Sequence, residues 1–348
     1  MKDNGLLVQY FNANTPADQT LWAKAAKDAV TLKKIGATAV WFPPATKGAA
    51  GKEDMGYAPY DLYDLGEFNQ KGSVGTRYGT KKEYLEAIDA MKAQGINVYA
   101  DIAVRQKLGA DSVEKVTAAD FNAKDIPQMI GNKKIVGALS KFTFAGRRSK
   151  YSKFKWNWNH FAGIDWQQDD FKKRVCELSG MTEEEAEKKY KLSKYDYIIG
   201  SELDLYNQEV YDELMTWAKW YEDVTGVDGF RFQEAEKVPG WFIRDFAEAA
   251  SNAGEEEKEI FTVGDFWHWR CDYINDYIAS ADNQPSMFDV PLHFSFHDAS
   301  VAEGEYDLSR LLDGSMMMSN PAKAVTFVEN HESQPGGVLE SAVAEWFK

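Results

Sequence analysis

Apolar and polar positions along the chain repeat as strand, helix, strand, helix. Leu6–Phe11 is a compact apolar run of strand length, and Thr20–Ile35 carries apolar residues at helical spacing until Gly36 stops it. Ala39–Pro44 (AVWFPP) reads as a buried strand closed by two prolines, Lys81–Gln94 as a helix ended by Gly95, and Asn97–Val104 as a third strand. This alternation predicts parallel βα units. From Arg105 to about Gly200 it stops, and the chain turns polar, aromatic-rich and irregular, with Trp156, Trp158, His160 and Trp166 close together. That is too long for a connecting loop, so an inserted subdomain over 105–200 is expected. The alternation then resumes. A helix near Glu209–Glu222 precedes a strand at Val227–Phe232, and a helix at about Gly240–Ser251 follows it. Further strands are predicted at Ile260–Asp265, Ser286–Phe296 and Ala324–Glu329, and a last helix from about Leu339.

Seven strands are countable, whereas a parallel barrel closes with eight. The expected fold is α/β, a (β/α)8-type TIM barrel with seven strands present. It is built from 1–104 and 201–348, with the subdomain inserted after the third strand. An unclosed barrel would leave its first and seventh strands with free edges, an invitation to self-association.

Composition narrows the partners. The net charge of −15 argues against nucleic acid and anionic membranes, and a neutral polar ligand fits better. The 11 Trp, 17 Tyr and 20 Phe mostly fill the core, but some can form platforms for the apolar C–H faces of sugar rings. Cys176 and Cys271 show no metal spacing. No signal peptide is evident at Met1–Tyr10 and no apolar run approaches ~18 residues, so a cytoplasmic, soluble protein is expected.

The stretch that carries most chemistry is Gly226–Lys237 (GVDGFRFQEAEK), a short strand running into charged and polar side chains. In a parallel α/β barrel the carboxyl end of a strand is where functional groups converge. Alternation puts Arg231 and Gln233 on the inward side and turns Glu234 elsewhere. An arginine beside an amide is an arrangement for binding, whereas an arginine beside a carboxylate would suit catalysis.

Eight segments in order carry a resemblance: GYAPYDLYDLGEFNQKGSVGTRYGT (56–80), DIAV (101–104), KWNWNHFAGIDW (155–166), YDYIIGSELDL (195–205), GVDGFRF (226–232), FTVGDFW (261–267), FDVPLHFSFH (288–297) and FVENHESQPGG (327–337). Together they resemble glycoside hydrolase family 13, the α-amylase family, most closely its bacterial liquefying and cytoplasmic members. The resemblance implies a barrel with a subdomain after the third strand and a ligand of the α-1,4-glucan class. It places Tyr57 as a stacking tyrosine and Asp101 as a subsite carboxylate, with Gln106, Arg231, His331 and Trp267 as further substrate contacts. Blander readings stand beside these: Tyr57 as a core aromatic, Asp101 as a strand-end cap, Arg231 as a structural ion-pair partner, His331 as a satisfied buried histidine. Trp41, Trp267 and Trp269 read more readily as packing than as platforms.

The departures decide the chemistry. Where the family carries its Asp nucleophile this chain has Gln233, where it carries a Glu acid/base this chain has Asp265, and where it carries a stabilising Asp this chain has Glu332. The third strand ends Arg105-Gln106 in place of Asn-His, and Lys237 replaces a His. A retaining glycosidase needs two carboxyl groups about 5–5.5 Å apart. A carboxamide cannot form the covalent ester, and a carboxyl group displaced by about 1 Å loses on the order of 10²-fold in rate. The family's calcium would draw on Glu202 and Asp204, but Arg105 stands at an expected ligand position and the set is degraded. The expectation is a glucan-binding protein with impaired catalysis. Two alternatives remain: an active hydrolase with Glu234 or Glu236 as substitute nucleophile or with a water activated by Asp265, and an incomplete barrel.

Overall fold

The short apolar runs become a curled sheet of seven parallel strands in a computed structural model, which describes residues 5–122, 128–167, 172–177, 200–254, 258–302 and 304–333. The strands are β1 (Leu7–Gln9), β2 (Ala39–Phe42), β3 (Asn97–Ile102), β4 (Gly229–Phe232), β5 (Phe261–Gly264), β6 (Ser286–Phe288) and β7 (Ala324–Val325), hydrogen-bonded in that order. The expected seven-stranded, TIM-barrel-like fold is what forms. Among the described residues β1 does not pair with β7.

Alternation along each strand sorts the side chains onto two layers. Val40, Phe42, Val98, Ala100, Ile102, Phe230 and Phe232 join the larger apolar cluster beneath the helices. Trp41, Val263 and Phe288 turn the other way and pack with Phe11 and Val290 in a second cluster. Gly229 holds a tight crossing in β4, because a Cβ there would lie 2.3 Å from the carbonyl oxygen of Phe261.

The connecting helices are α1 (Leu21–Lys34), α2 (Lys81–Ala93), α3 (Gln208–Thr225), α4 (Gly240–Ser251) and α5 (Cys271–Ser280). Helix α2 starts on a capping box in which Thr80 and Glu83 satisfy each other's backbone N–H. Helix α3 ends on Gly226 at φ 63°, which returns its N–H to the carbonyl of Glu222.

Among the described residues after Arg105, six strands form a second sheet with antiparallel pairings, in the order 172–177, 112–122, 128–141, 161–167, 201–203 and 106–107. Two expected strands need revision. The run Ser286–Phe296 is not one strand: β6 ends at Phe288 and helix α6 (Val290–Val301) follows at once. The Asp289 carboxylate accepts from the N–H of Leu292, Pro291 falls in the first turn where its missing N–H costs nothing, and the same carboxylate accepts from Met316 and Met317. The predicted strand Ala324–Glu329 shortens to two residues. The helix expected from Leu339, and the side chain of Trp166, lie outside the described residues.

Candidate active site

The parallel register sets Arg231 of β4 directly beside Asp101 of β3 and Val263 of β5. Arg231 has no exposed surface. Its Nη1 donates to both oxygens of Asp101 at 3.0 and 3.2 Å, and its Nη2 donates to Asp265 and, at 3.3 Å, to Glu332. The guanidinium lies 4.8 Å over the ring of Trp41, whose indole N–H donates to Asp101 at 3.1 Å. One buried cation therefore serves three carboxylates.

Burial raises the Asp265 carboxyl above the ordinary carboxylate range. Arg231 opposes that shift and the neighbouring charge of Glu332 adds to it. Burial would raise Glu332 as well, but hydrogen bonding from His331 and the charge of Arg231 outweigh it and hold this carboxyl low. Two acids a few ångströms apart are thus driven in opposite directions.

Tyr57 and His331 close the other side. The Tyr57 hydroxyl donates to Asp101 at 2.7 Å and lies 3.0 Å from His331 Nε2, and the two rings are nearly parallel. Gln9, at the carboxyl end of β1, donates to the carbonyl of Phe11 at 3.0 Å, which fixes its amide nitrogen toward His331 Nδ1 at 3.3 Å. His331 Nε2 thus faces both the Tyr57 hydroxyl at 3.0 Å and Glu332 Oε1 at 3.4 Å. Gln106 donates to the carbonyl of Tyr57 at 3.0 Å and braces that loop.

The backbone ladder runs one residue past β4, because the Gln233 N–H donates to Ile102 at 3.1 Å. Gln233 is half-buried. Glu234 then takes a left-handed conformation at φ 48°. Its carboxylate is held by Arg105 at 3.1 Å and by Lys237. A left-handed turn, and not strand alternation alone, sets its direction. Trp267 packs edge-on against Phe327 and His293 and tilts onto Phe294.

Arg105 is itself buried, with its guanidinium at Glu234. Glu202 pairs through its backbone with Gln106, and the Asp204 N–H donates to His160. Among the described residues no group of three or more His, Cys, Asp or Glu side chains is arranged to hold a metal ion.

Sequence reasoning missed Gln9 and the burial of Glu236. The signal for Gln9 was its place at the carboxyl end of a barrel strand. Glu236, on the turn after β4, has a buried Oε2 without a hydrogen-bond partner, and burial pushes its carboxyl up to about 7.

No family model matches the chain. Curated relatives do. It is 40% identical to an α-amylase of Bacillus licheniformis over 99% of this chain and 67% of that protein, and 36% identical to the cytoplasmic α-amylase of Escherichia coli over 99% and 70%. The chain belongs to the α-amylase family. An α-amylase of Geobacillus stearothermophilus is 42% identical, and the chain spans 62% of its length. Among solved structures, an α-amylase from Anoxybacillus superimposes with a TM-score of 0.57 at 18% identity, covering 94% of this chain and 62% of that one. One from Malbranchea cinnamomea gives 0.56 at 16% identity over 93% and 60%. Both show the same fold. The α-amylase-family frame therefore extends over nearly the whole chain, and the site described above lies at the carboxyl ends of its strands.

Proposed function

We propose that this chain binds α-1,4-glucans in the cleft framed by Tyr57, Asp101, Arg231, His331 and Trp267, and hydrolyses them weakly or not at all. One observation carries the reading. Gln233 offers no carboxylate, and the carboxylate next to it in sequence, Glu234, is already neutralised by Arg105 and Lys237. A substitute nucleophile would have to break both ion pairs before it could attack. In the family frame Gln233 stands at the nucleophile position, Asp265 at the acid/base position and Glu332 at the stabiliser position. Gln106 supports the loop of Tyr57 from behind.

A second reading has its own observation. Asp265 is pushed toward the protonated form while Glu332 is kept charged. Environments that drive two carboxyl groups apart can serve an acid and a base, which would permit slow hydrolysis.

Paired measurements on one preparation decide between them. Calorimetry with maltoheptaose together with release from a blocked maltoheptaoside should give binding without turnover. Turnover at ordinary amylase rates would overturn the first reading. Slow turnover that is lost in Asp265→Asn would establish the second. The barrel body and the inserted subdomain are proposed to act as one glucan-binding unit. A cytoplasmic location is proposed from the Escherichia coli relative's name.

A further inference from the structure

Beyond the cleft, the loop between β5 and α5 carries aromatic side chains that the core does not absorb. Trp269, read from sequence as packing, is 69% exposed, in contrast to Trp41 at 2%. An isolated exposed apolar side chain needs no explanation, but an organised group of them does. Here the group is organised. His268 stacks on Trp269 with centroids 6.0 Å apart and planes within 15°, and on Tyr273 at 4.4 Å and 25°. Arg270 covers Tyr273 at 4.9 Å and Trp269 at 5.9 Å. His268 Nδ1 accepts the Arg270 N–H at 3.0 Å, which pins the loop that carries the stack.

Trp269 forms one wall of a cavity of about 520 Å³, within the range of small-ligand sites. Phe294, Asp298 and Asp313 also line it. Both carboxylates are exposed, at 71% and 66%; Asp298 lies 3.7 Å from His297 and Asp313 accepts from Arg310 at 3.4 Å, and each keeps further lone pairs for hydroxyl groups. Phe294 also touches Trp267, their rings 6.2 Å apart, so the cavity adjoins the proposed cleft through a shared aromatic wall. A flat indole flanked by acceptors on an acidic chain suits a neutral pyranose: its C–H face covers the ring and its hydroxyls reach the carboxylates.

We propose that Trp269, backed by His268 and Tyr273, is a pyranose-stacking platform that extends glucan binding past the cleft to longer oligosaccharides. It rests on the glucan reading above. Because Trp269 is exposed, Trp269→Ala leaves the core intact, and Trp269→Tyr keeps a flat ring.

The experiment is calorimetry with maltoheptaose and maltotriose on the wild type and both variants. Trp269→Ala is expected to bind maltoheptaose about tenfold more weakly while maltotriose changes less than about twofold, and Trp269→Tyr to recover most of the loss. Maltoheptaose affinity that is unchanged in Trp269→Ala overturns the platform and leaves the glucan reading standing. An equal loss for maltotriose also overturns it, because Trp269 would then belong to the cleft itself. A wild type that binds neither sugar removes the glucan reading, and the platform falls with it.

Discussion

Tyr57 and His331 lie with ring centroids 5.4 Å apart and planes 7° from parallel, joined by a 3.0 Å hydrogen bond between the hydroxyl and Nε2. The bond belongs to a chain of contacts in which the Gln9 amide lies 3.3 Å from His331 Nδ1 and the Tyr57 hydroxyl donates to Asp101. Such a chain orients Asp101 without neutralising it, leaving that task to Arg231. Tyr57→Phe removes the link but keeps the ring. It is expected to cost about 1 kcal/mol of stability by urea denaturation and to leave maltoheptaose affinity within about threefold. Tyr57→Ala removes the ring as well and should weaken binding by more than about tenfold. Equal losses for the two variants would mean the hydroxyl, not the ring, contacts the sugar.

Gln233, Asp265 and Glu332 can be tested by reversal. Under the proposed assignment, Gln233→Asp, Asp265→Glu and Glu332→Asp together supply a nucleophile and reset two side-chain lengths. Release from a blocked maltoheptaoside is expected to rise by at least about 10²-fold over the wild type. Gln233→Asp alone should give less, because residues acting as a unit are not additive. A triple variant that folds, binds maltoheptaose and stays inactive would show that the impairment lies elsewhere.

Arg231 holds Asp101, Asp265 and Glu332 at once. Arg231→Met leaves these carboxylates, two of them buried, without their cation and should cost roughly 3–5 kcal/mol near pH 7. The loss should shrink in acid, as protonation removes the uncompensated charge. Chemical denaturation at pH 4 and pH 7 reads this directly, and equal losses at both values would contradict it.

Which parts of this were legible in the sequence follows from the physics of each signal. Strands buried on both layers, such as Ala39–Phe42, read clearly because their apolar runs are unbroken. The Ser112–Asn122 strand did not, because its sheet is wetted on one side: Val116 and Ala118 are buried while Val113 is 39% exposed, and charged residues interrupt the pattern. The Ser286–Phe296 run misled because one aspartate, Asp289, caps α6 and also accepts from the distant Met316 N–H, a tertiary fact invisible to local periodicity. At the site, Arg231 and Asp101 were legible from strand ends. The pinning of Glu234 was not, since it depends on a left-handed residue and on Arg105 from another strand.

Glu236 gives a pH signature. Its folded-state pKa is raised to about 7 from an ordinary 4.5, first by burial and then by the charge of Asp265. For an acid so raised, the folded state holds the proton more tightly. Its contribution is fully present below about pH 4.5 and is lost as pH rises through about 7. Glu236→Gln should therefore flatten the fall in stability between those values and gain on the order of 2 kcal/mol over the wild type at pH 8. Denaturation midpoints across pH 4–8 that stay parallel for the two proteins would refute it.

Lys107 should behave in the opposite sense. Its Nζ is buried without a hydrogen-bond partner, amid the rings of Trp156, Phe142 and Phe144 at 5.5, 5.8 and 5.8 Å. Burial lowers this amine to about 7 from 10.5, and nearby Asp61 and Glu213 only partly oppose the shift. Between those values the unfolded chain binds a proton that the folded chain does not, so this group's contribution to stability rises with pH across the window. Below it the full penalty of a buried cation applies. Lys107→Met keeps the volume and removes the charge, and is expected to stabilise by about 1–4 kcal/mol near pH 7. The gain should diminish as pH rises and vanish only above about 10.5, where the amine is neutral in either state. A Tm for Lys107→Met below that of the wild type at pH 7 would instead mean that the ammonium makes a net favourable contact with its aromatic ring of neighbours.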